Sequence, residues 1–288
     1  MFIHCGRDAF SDGALSIPDL SGTYLGEIVA ERRRRLEETR AQVPLADLAS
    51  RAEQRQERRD FAAALRGPAL RVITELKRAS PSRGLLCSRY RPREIARGYE
   101  EAGAAALSVL TEEKYFLGSL ADLGEARAAV PLPVLRKDFI LDAYQVYESA
   151  AAGADGLLLI VAALSEQDLR GLLELCRRLR VAALVEVHTS EELQRALDVG
   201  AVLVGVNNRD LKTLEVNLET SFRLRAKIPS TCVAVSESGI KTPADVQALA
   251  QAGFDAMLIG ERLMKEADPG RALADLLAGA KTLATQRV

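Results

Sequence analysis

Ionisable residues of opposite sign stand at the ends of short apolar runs in this chain. Glu75 and Lys77 follow LRVIT, Lys137 ends LPVLRK, Glu186 lies in VAALVEVH, and Glu237 ends TCVAVSE. A charge at the end of a buried run loses hydration and is costly unless it is paired. For any one of these residues a structural ion pair is a sufficient account. For the set, two lysines and several carboxylates converging on one place resemble an acid–base constellation, able to give a proton at one point and take one at another. Other polar residues share these positions: Ser80 in ELKRASPS, Glu112, Glu113, Lys114 and Phe116 in TEEKYF, Arg136 and Asp138 beside Lys137, and Asn207, Asn208 and Arg209 in GVNNRDL. Ser238–Gly239 and Ile259–Gly260 offer unhindered backbone N–H groups of the kind that hold phosphate.

The elements that carry these residues repeat. EAGAAALSVL, AAGADGLLLI, DVGAVLVGVN and QAGFDAMLIG each read as a helix end, a glycine and an apolar run. Their glycines, Gly103, Gly153, Gly200 and Gly253, recur roughly every 50 residues, the length of two βα units. Glycine just past a helix is the usual left-handed cap, and a continuous apolar run after it fits a strand buried on both faces. LRVITELK, LPVLRKD, VAALVEVH and TCVAVSE lie between these segments and bring the strands to eight. Eight alternating βα units predict a parallel (β/α)8 barrel, with chemistry at the C-terminal strand ends. A doubly wound open sheet has fewer strands and a G-x-G-x-x-G fingerprint, which the chain lacks.

Helical spacing of Leu25, Ile28, Val29 and Leu36, and a second helix capped by Asp60, predict extra helices over residues 23–66, before the first strand. The run Arg32–Arg35 reads as a solvated helix face. Thr242 and Pro243 predict the start of the helix after Gly239. Residues 23–288 are thus expected as one barrel domain, and residues 1–22 as a partly disordered extension.

A net charge of -1, from 39 basic and 40 acidic residues, argues against nucleic-acid or membrane-surface binding. The cysteines, Cys5, Cys87, Cys176 and Cys232, are scattered, and the two histidines are His4 and His188, so no zinc site is expected. The N-terminus lacks a secretory pattern, and the longest apolar run, Leu157 to Leu164, falls short of the ~20 residues of a membrane span. A cytoplasmic protein with reduced thiols is expected.

ELKRASPS, TEEKYF, LRKDFI, LVEV, GVNNRDL, SESGI and LIGERLM, in this order and spacing, resemble the indole-3-glycerol phosphate synthase family over about residues 24–283, in its monofunctional form. The resemblance implies a substrate, 1-(2-carboxyphenylamino)-1-deoxyribulose 5-phosphate, that is closed to a ring with loss of carbon dioxide and water. It implies no metal or organic cofactor, a small-molecule sugar-phosphate/anthranilate partner, and a monomer or weak homodimer. It makes Lys137 the general acid and Glu186 the base of dehydration, with Lys77 a second acid or a partner of the substrate's carboxylate and phosphate. Glu75 and Asn207 then orient the lysines and substrate hydroxyls, and Arg209 holds the substrate carboxylate. Ser80, Glu237, Ser238, Gly239 and Gly260 fall among the substrate-binding positions, the last three near phosphate, and Phe116 and Phe139 near the anthranilate ring. A lysine beside another cation is expected to have a lowered pKa. Glu261 stands where many members have Ser or Thr, and its side chain is expected to turn away from phosphate; Leu117 replaces a common polar residue. Two other readings are a Schiff-base aldolase-type sugar-phosphate barrel, with Lys137 or Lys77 as nucleophile, and a phosphate-binding barrel without catalysis, against which the intact Lys77, Lys137 and Glu186 argue.

Overall fold

A computed structural model describes residue 20, residues 22–211 and residues 213–285. The extension expected over residues 1–22 therefore lies outside the described residues, apart from Leu20 and Gly22. Among the described residues, parallel strands close a barrel: β1 (Arg71–Leu76), β2 (Ala106–Leu110), β3 (Val134–Lys137), β4 (Gly156–Ile160), β5 (Ala182–Val187), β6 (Leu203–Asn207), β7 (Val233–Glu237) and β8 (Ala256–Ile259). Each strand pairs with its neighbours in sequence, and β8 returns to β1 with Arg71 opposite Ala256. All eight lie within the apolar runs read from the sequence. The repeat glycines 103, 153, 200 and 253 all take positive φ, where a Cβ would be strained.

The helices follow in order: α1 (Tyr24–Gln42), α2 (Leu45–Gln54) and α3 (Phe61–Ala64) before the barrel, then α4 (Pro92–Glu101), α5 (Leu120–Ala129), α6 (Ala143–Ala151), α7 (Glu166–Leu179), α8 (Ser190–Asp198), α9 (Glu219–Arg225), α10 (Pro243–Gln251), α11 (Glu261–Met264) and α12 (Pro269–Thr285). Their starts are written locally. Asp60, Ser119, Asp142, Ser165, Thr189 and Thr242 each accept a backbone N–H of the first turn. Thr242 and Asp245 form a reciprocal capping box, with Pro243 behind the cap. One apolar cluster runs from Leu25, Ala52 and Phe61 through the strands to Leu273 and Leu276 of α12. Alternation sorts β4: Leu158 and Ile160 line a cavity inside the barrel mouth, while Leu157 and Leu159 are fully buried under the helices. Each such leucine contributes roughly 1.5–3 kcal/mol through burial.

The arginine run of α1 is not wholly a solvated face. Arg32 is 8% exposed, and its guanidinium donates to Asp138 Oδ2 at 2.7 Å. The same oxygen accepts from Arg136 at 2.9 Å and from Thr111 at 2.5 Å. Arg136 points outward from β3, where it also meets Glu148 at 2.7 Å and Ser149 at 3.0 Å on α6. The reason lies in the pleat: Lys137 faces the cavity, so its neighbour must face the helices and needs buried acceptors there. Glu112 is spent locally, accepting the backbone N–H groups of Lys114, Tyr115 and Phe116, while Glu113 pairs with Arg35 and Lys114 with Glu31. α1 is thus tied by charge to the end of β3.

Arg32→Ala is expected to lower unfolding free energy by about 3 kcal/mol, the low end of the ~3–5 kcal/mol for breaking a buried pair, because Arg136 and Thr111 still hold Asp138. Urea unfolding measures it. A loss within about 0.5 kcal/mol, the size of an ordinary surface change, would restore the solvated-face reading.

Candidate active site

The C-terminal ends of the strands open into a cavity of about 870 Å³. Glu75, Lys77, Phe116, Lys137, Phe139, Glu186, Asn207, Arg209, Glu237, Ser238, Gly239 and Gly260 all line it. Ser80 does not. It lies in a small hairpin, Ala79–Ser80 against Gly84–Leu85, buried and with no partner for its hydroxyl among the described residues. Ser82 and Arg83, at the turn of that hairpin, reach the cavity instead.

Lys137 is the centre of the charge set. Its Nζ lies 3.5 Å from Glu186 and 3.6 Å from Glu237, and Lys77 Nζ lies 2.5 Å from Glu75. Burial works to lower the pKa of Lys137, but Glu186, Glu237 and Glu75 outweigh it and the net shift is upward. The lowered lysine pKa expected from a neighbouring cation is therefore overturned: the surrounding carboxylates outweigh both burial and any neighbouring ammonium. Burial likewise raises the pKa of Glu75, yet Lys77 and Lys137 win and hold it below the usual carboxylate range. Glu237 goes the other way. Burial first, then Glu186 and Glu75, push it well above that range against the pull of Lys137. With Glu237 protonated, two ammonium groups face two carboxylates.

Two glycines make the room. A Cβ at Gly260 would lie 2.5 Å from Glu75 Oε1, and one at Gly205 would collide with Glu237 Oε1. Gly260 therefore admits Glu75 as well as offering its backbone at the mouth. Gly205 was not singled out from the sequence, although an isolated glycine inside a strand signals a close approach. His188 was missed too. It shares the period-2 face of Glu186, and its Nε2 lies 3.4 Å from Glu186 Oε1. Arg83 carried no such signal, because its place depends on the hairpin.

Side chains also fix the rim. Asn207 Oδ1 accepts the Arg209 N–H at 3.0 Å, which sets the turn after β6. Asn208 donates to Ser236 Oγ and to the carbonyls of Glu237 and Ser238, bracing Ser238 at φ +66. The Glu261 side chain has not turned away. It lines the cavity and accepts from Arg209 at 3.1 Å and Lys265 at 2.7 Å, with Arg83 at 3.5 Å. Although burial raises its pKa, Lys265, Lys77 and Arg209 bring the net shift below the ordinary value. These cations explain why a carboxylate tolerates the mouth. Phe116 and Phe139 form an apolar wall, with ring centroids 6.3 Å apart. Among the described residues no group of three or more His, Cys, Asp or Glu side chains is arranged to hold a metal ion.

A parallel barrel with a buried set of ammonium and carboxylate groups at its C-terminal mouth defines a (β/α)8-barrel enzyme of acid–base chemistry. The chain belongs to the indole-3-glycerol phosphate synthase family, whose model matches residues 25–276. It is a carboxy-lyase of tryptophan biosynthesis. The indole-3-glycerol phosphate synthase of Mycolicibacterium gilvum is 50% identical over 89% of this chain and 94% of that protein. That of Chloroherpeton thalassium is 52% identical over 84% and 95%. Distant solved structures share the fold alone: a thiamine phosphate pyrophosphorylase from Pyrococcus furiosus has a TM-score of 0.56 at 17% identity, covering 74% of this chain and 96% of that one. The Schiff-base alternative gains nothing from the family, and Lys137 held as an ammonium is poorly suited to attack as an amine.

Because the folded pKa of Glu237 lies above its unfolded value, it penalises the folded state once the unfolded carboxylate ionises. The penalty is absent below about pH 4, grows as pH rises, and is complete above the folded value. Glu237→Gln should match wild-type stability at pH 4 and exceed it by about 1 kcal/mol or more at pH 8, read from urea midpoints. Equal stability at both pH values would show that Glu237 ionises without penalty.

Proposed function

We propose that this chain converts 1-(2-carboxyphenylamino)-1-deoxyribulose 5-phosphate to indole-3-glycerol phosphate with Lys137 as general acid and Glu186 as base. The observation that carries this reading is the half-buried Lys137 ammonium facing the buried Glu186 carboxylate at 3.5 Å across the cavity floor. As the aromatic carbon attacks the carbonyl, its oxygen gains negative charge and takes a proton from Lys137. The carboxylate leaves as carbon dioxide, returning its bonding pair to the ring. Glu186 then accepts a proton from the ring system, while the hydroxyl takes another from a lysine ammonium of the cavity and departs as water.

The remaining roles follow from charge and shape. Lys77, oriented by Glu75, neutralises the substrate's carboxylate or phosphate, or serves as a second acid. Arg209 holds the substrate carboxylate through its planar fork, and Asn207 sets the turn that presents Arg209. The backbone at Ser238, Gly239 and Gly260 binds phosphate, with Arg83 and Lys265 supplying positive charge beside it. Phe116 and Phe139 face the anthranilate ring, and protonated Glu237 can donate to a substrate oxygen. Ser80 supports the hairpin that carries Ser82 and Arg83 to the cavity. On this reading one domain, residues 23–288, carries the whole activity, as a cytoplasmic monomer or weak homodimer. Among the described residues no helix is long and apolar enough to cross a membrane, and Cys87, Cys176 and Cys232 are free thiols.

Indole fluorescence appearing from the carboxyphenylamino substrate tests the reaction, and its absence overturns it. Lys137→Ala is expected to lower kcat by at least the ~10²–10⁴-fold of a general acid–base group. A variant with near-wild-type kcat removes Lys137 from the acid role.

A further inference from the structure

His188 stands one residue beyond β5 and is mostly buried, outside the set of side chains that line the cavity. Its two ring nitrogens face two different carboxylates. Nε2 lies 3.4 Å from Glu186 Oε1, and Nδ1 lies 3.1 Å from Glu192 Oε2. The same Glu192 oxygen accepts the His188 backbone N–H at 2.7 Å. One carboxylate oxygen therefore holds both the main chain and the ring of this residue, which fixes the imidazole plane. Glu192 is itself fixed, because its backbone N–H caps onto Thr189 Oγ1 at the start of α8. The other oxygen of Glu186, Oε2, faces Lys137 at 3.5 Å. The Glu186 carboxylate thus has a different nitrogen base at each oxygen, one inside the cavity and one behind it.

We propose that His188 is a positioning residue for Glu186: its imidazolium, braced by Glu192, holds the Glu186 carboxylate aimed into the cavity, and its charge sets the alkaline limit of the dehydration step. This rests on the reading of Glu186 as the base. A neutral imidazole with its proton on Nδ1 would turn a lone pair towards Glu186, so the contact is attractive only when Nε2 carries a proton. The ionisable groups facing the ring are Glu186 on β5, Glu192 on α8 and Glu237 on β7; the short 3-10 turn Val161–Ala163, which packs against α8, adds none. Burial opposes the charge on His188, but these carboxylates outweigh it, and its pKa is raised above the ordinary 6.5. The imidazolium therefore persists to higher pH than that of a free histidine and is lost as pH rises through the raised value. The remaining proton is held on Nδ1 by the nearer carboxylate, Glu192 at 3.1 Å against 3.4 Å for Glu186, so the Glu186 contact is the one lost.

The chain has two histidines, so the ring protons of His188 can be followed directly by NMR, with His188→Gln providing the assignment. In the wild type, His188 should titrate above the ordinary histidine value, and kcat should fall on the alkaline side with the same midpoint. Glu192→Gln removes a carboxylate but leaves the ring and the cavity side chains in place. It should move both midpoints to lower pH together. His188→Gln should lose that alkaline limb and lower kcat about 10-fold, less than the ~10²–10⁴-fold of a direct acid or base, with KM changed by less than about twofold. An unmoved His188 midpoint in Glu192→Gln overturns the proposal, as does a wild-type kcat and pH profile in His188→Gln. A wild-type protein that forms no indole product overturns the Glu186 reading and this proposal together, whereas normal wild-type turnover with unchanged variants overturns this proposal alone.

Discussion

The structure depends on keeping one ammonium charged inside a barrel. Lys137 is mostly shielded from water, and the carboxylates of Glu186 and Glu75 compensate it. An isolated charge in that position would lose its proton or drive the barrel open to water. The carboxylates need room and partners of their own. Room comes from Gly205 and Gly260, which lack the Cβ that would strike Glu237 and Glu75. Partners come from Lys77 for Glu75 and from Lys137 and His188 for Glu186. Glu237, buried beside Glu186 and Glu75, has its pKa pushed up to about 8 and so holds a proton where the other two are ionised. The charge set is therefore nearly neutral as a whole and polarised inside, which suits a reaction that moves protons between two points without gaining net charge.

The same constraint reaches outside the barrel. Lys137 can face the cavity only if Arg136 faces the helices, and Arg136 is buried there. Asp138, Glu148 and Ser149 satisfy it, and Asp138 in turn binds Arg32 from α1. A helix that precedes the barrel in sequence thereby anchors the strand end that carries the proposed acid. The mouth repeats this arrangement with looser, more exposed pairs. Glu261 holds Arg209, Lys265 and Arg83 in a cluster, which gathers positive charge where an anionic substrate would enter. Such pairs can exchange their carboxylate for a phosphate at modest cost, because partial hydration already screens them.

Much of this was legible in the chain itself. Strand positions followed from continuous apolar runs, because a parallel strand covered on both faces has no polar side to show. The barrel followed from eight such runs alternating with helical patterns, and the left-handed glycines from their fixed place after helices. Period-2 alternation put Glu75 and Lys77 on one face, and the same rule extended to Glu186 and His188 would have found the second pair. The cap at Thr242 and the caps at other helix starts are local, so neighbours in sequence suffice to predict them.

The sequence by itself determined the strands, the helix starts and which residue types stand at the mouth, since those depend on contacts within a few residues. Only the tertiary structure decided which charges meet. That Arg32 is buried, that Lys137 is pushed towards its charged form, that Glu261 stays in the cavity and that Ser80 is left out of it all depend on partners far away in the chain. Electrostatic energy varies with distance and burial, and neither is set until the barrel closes.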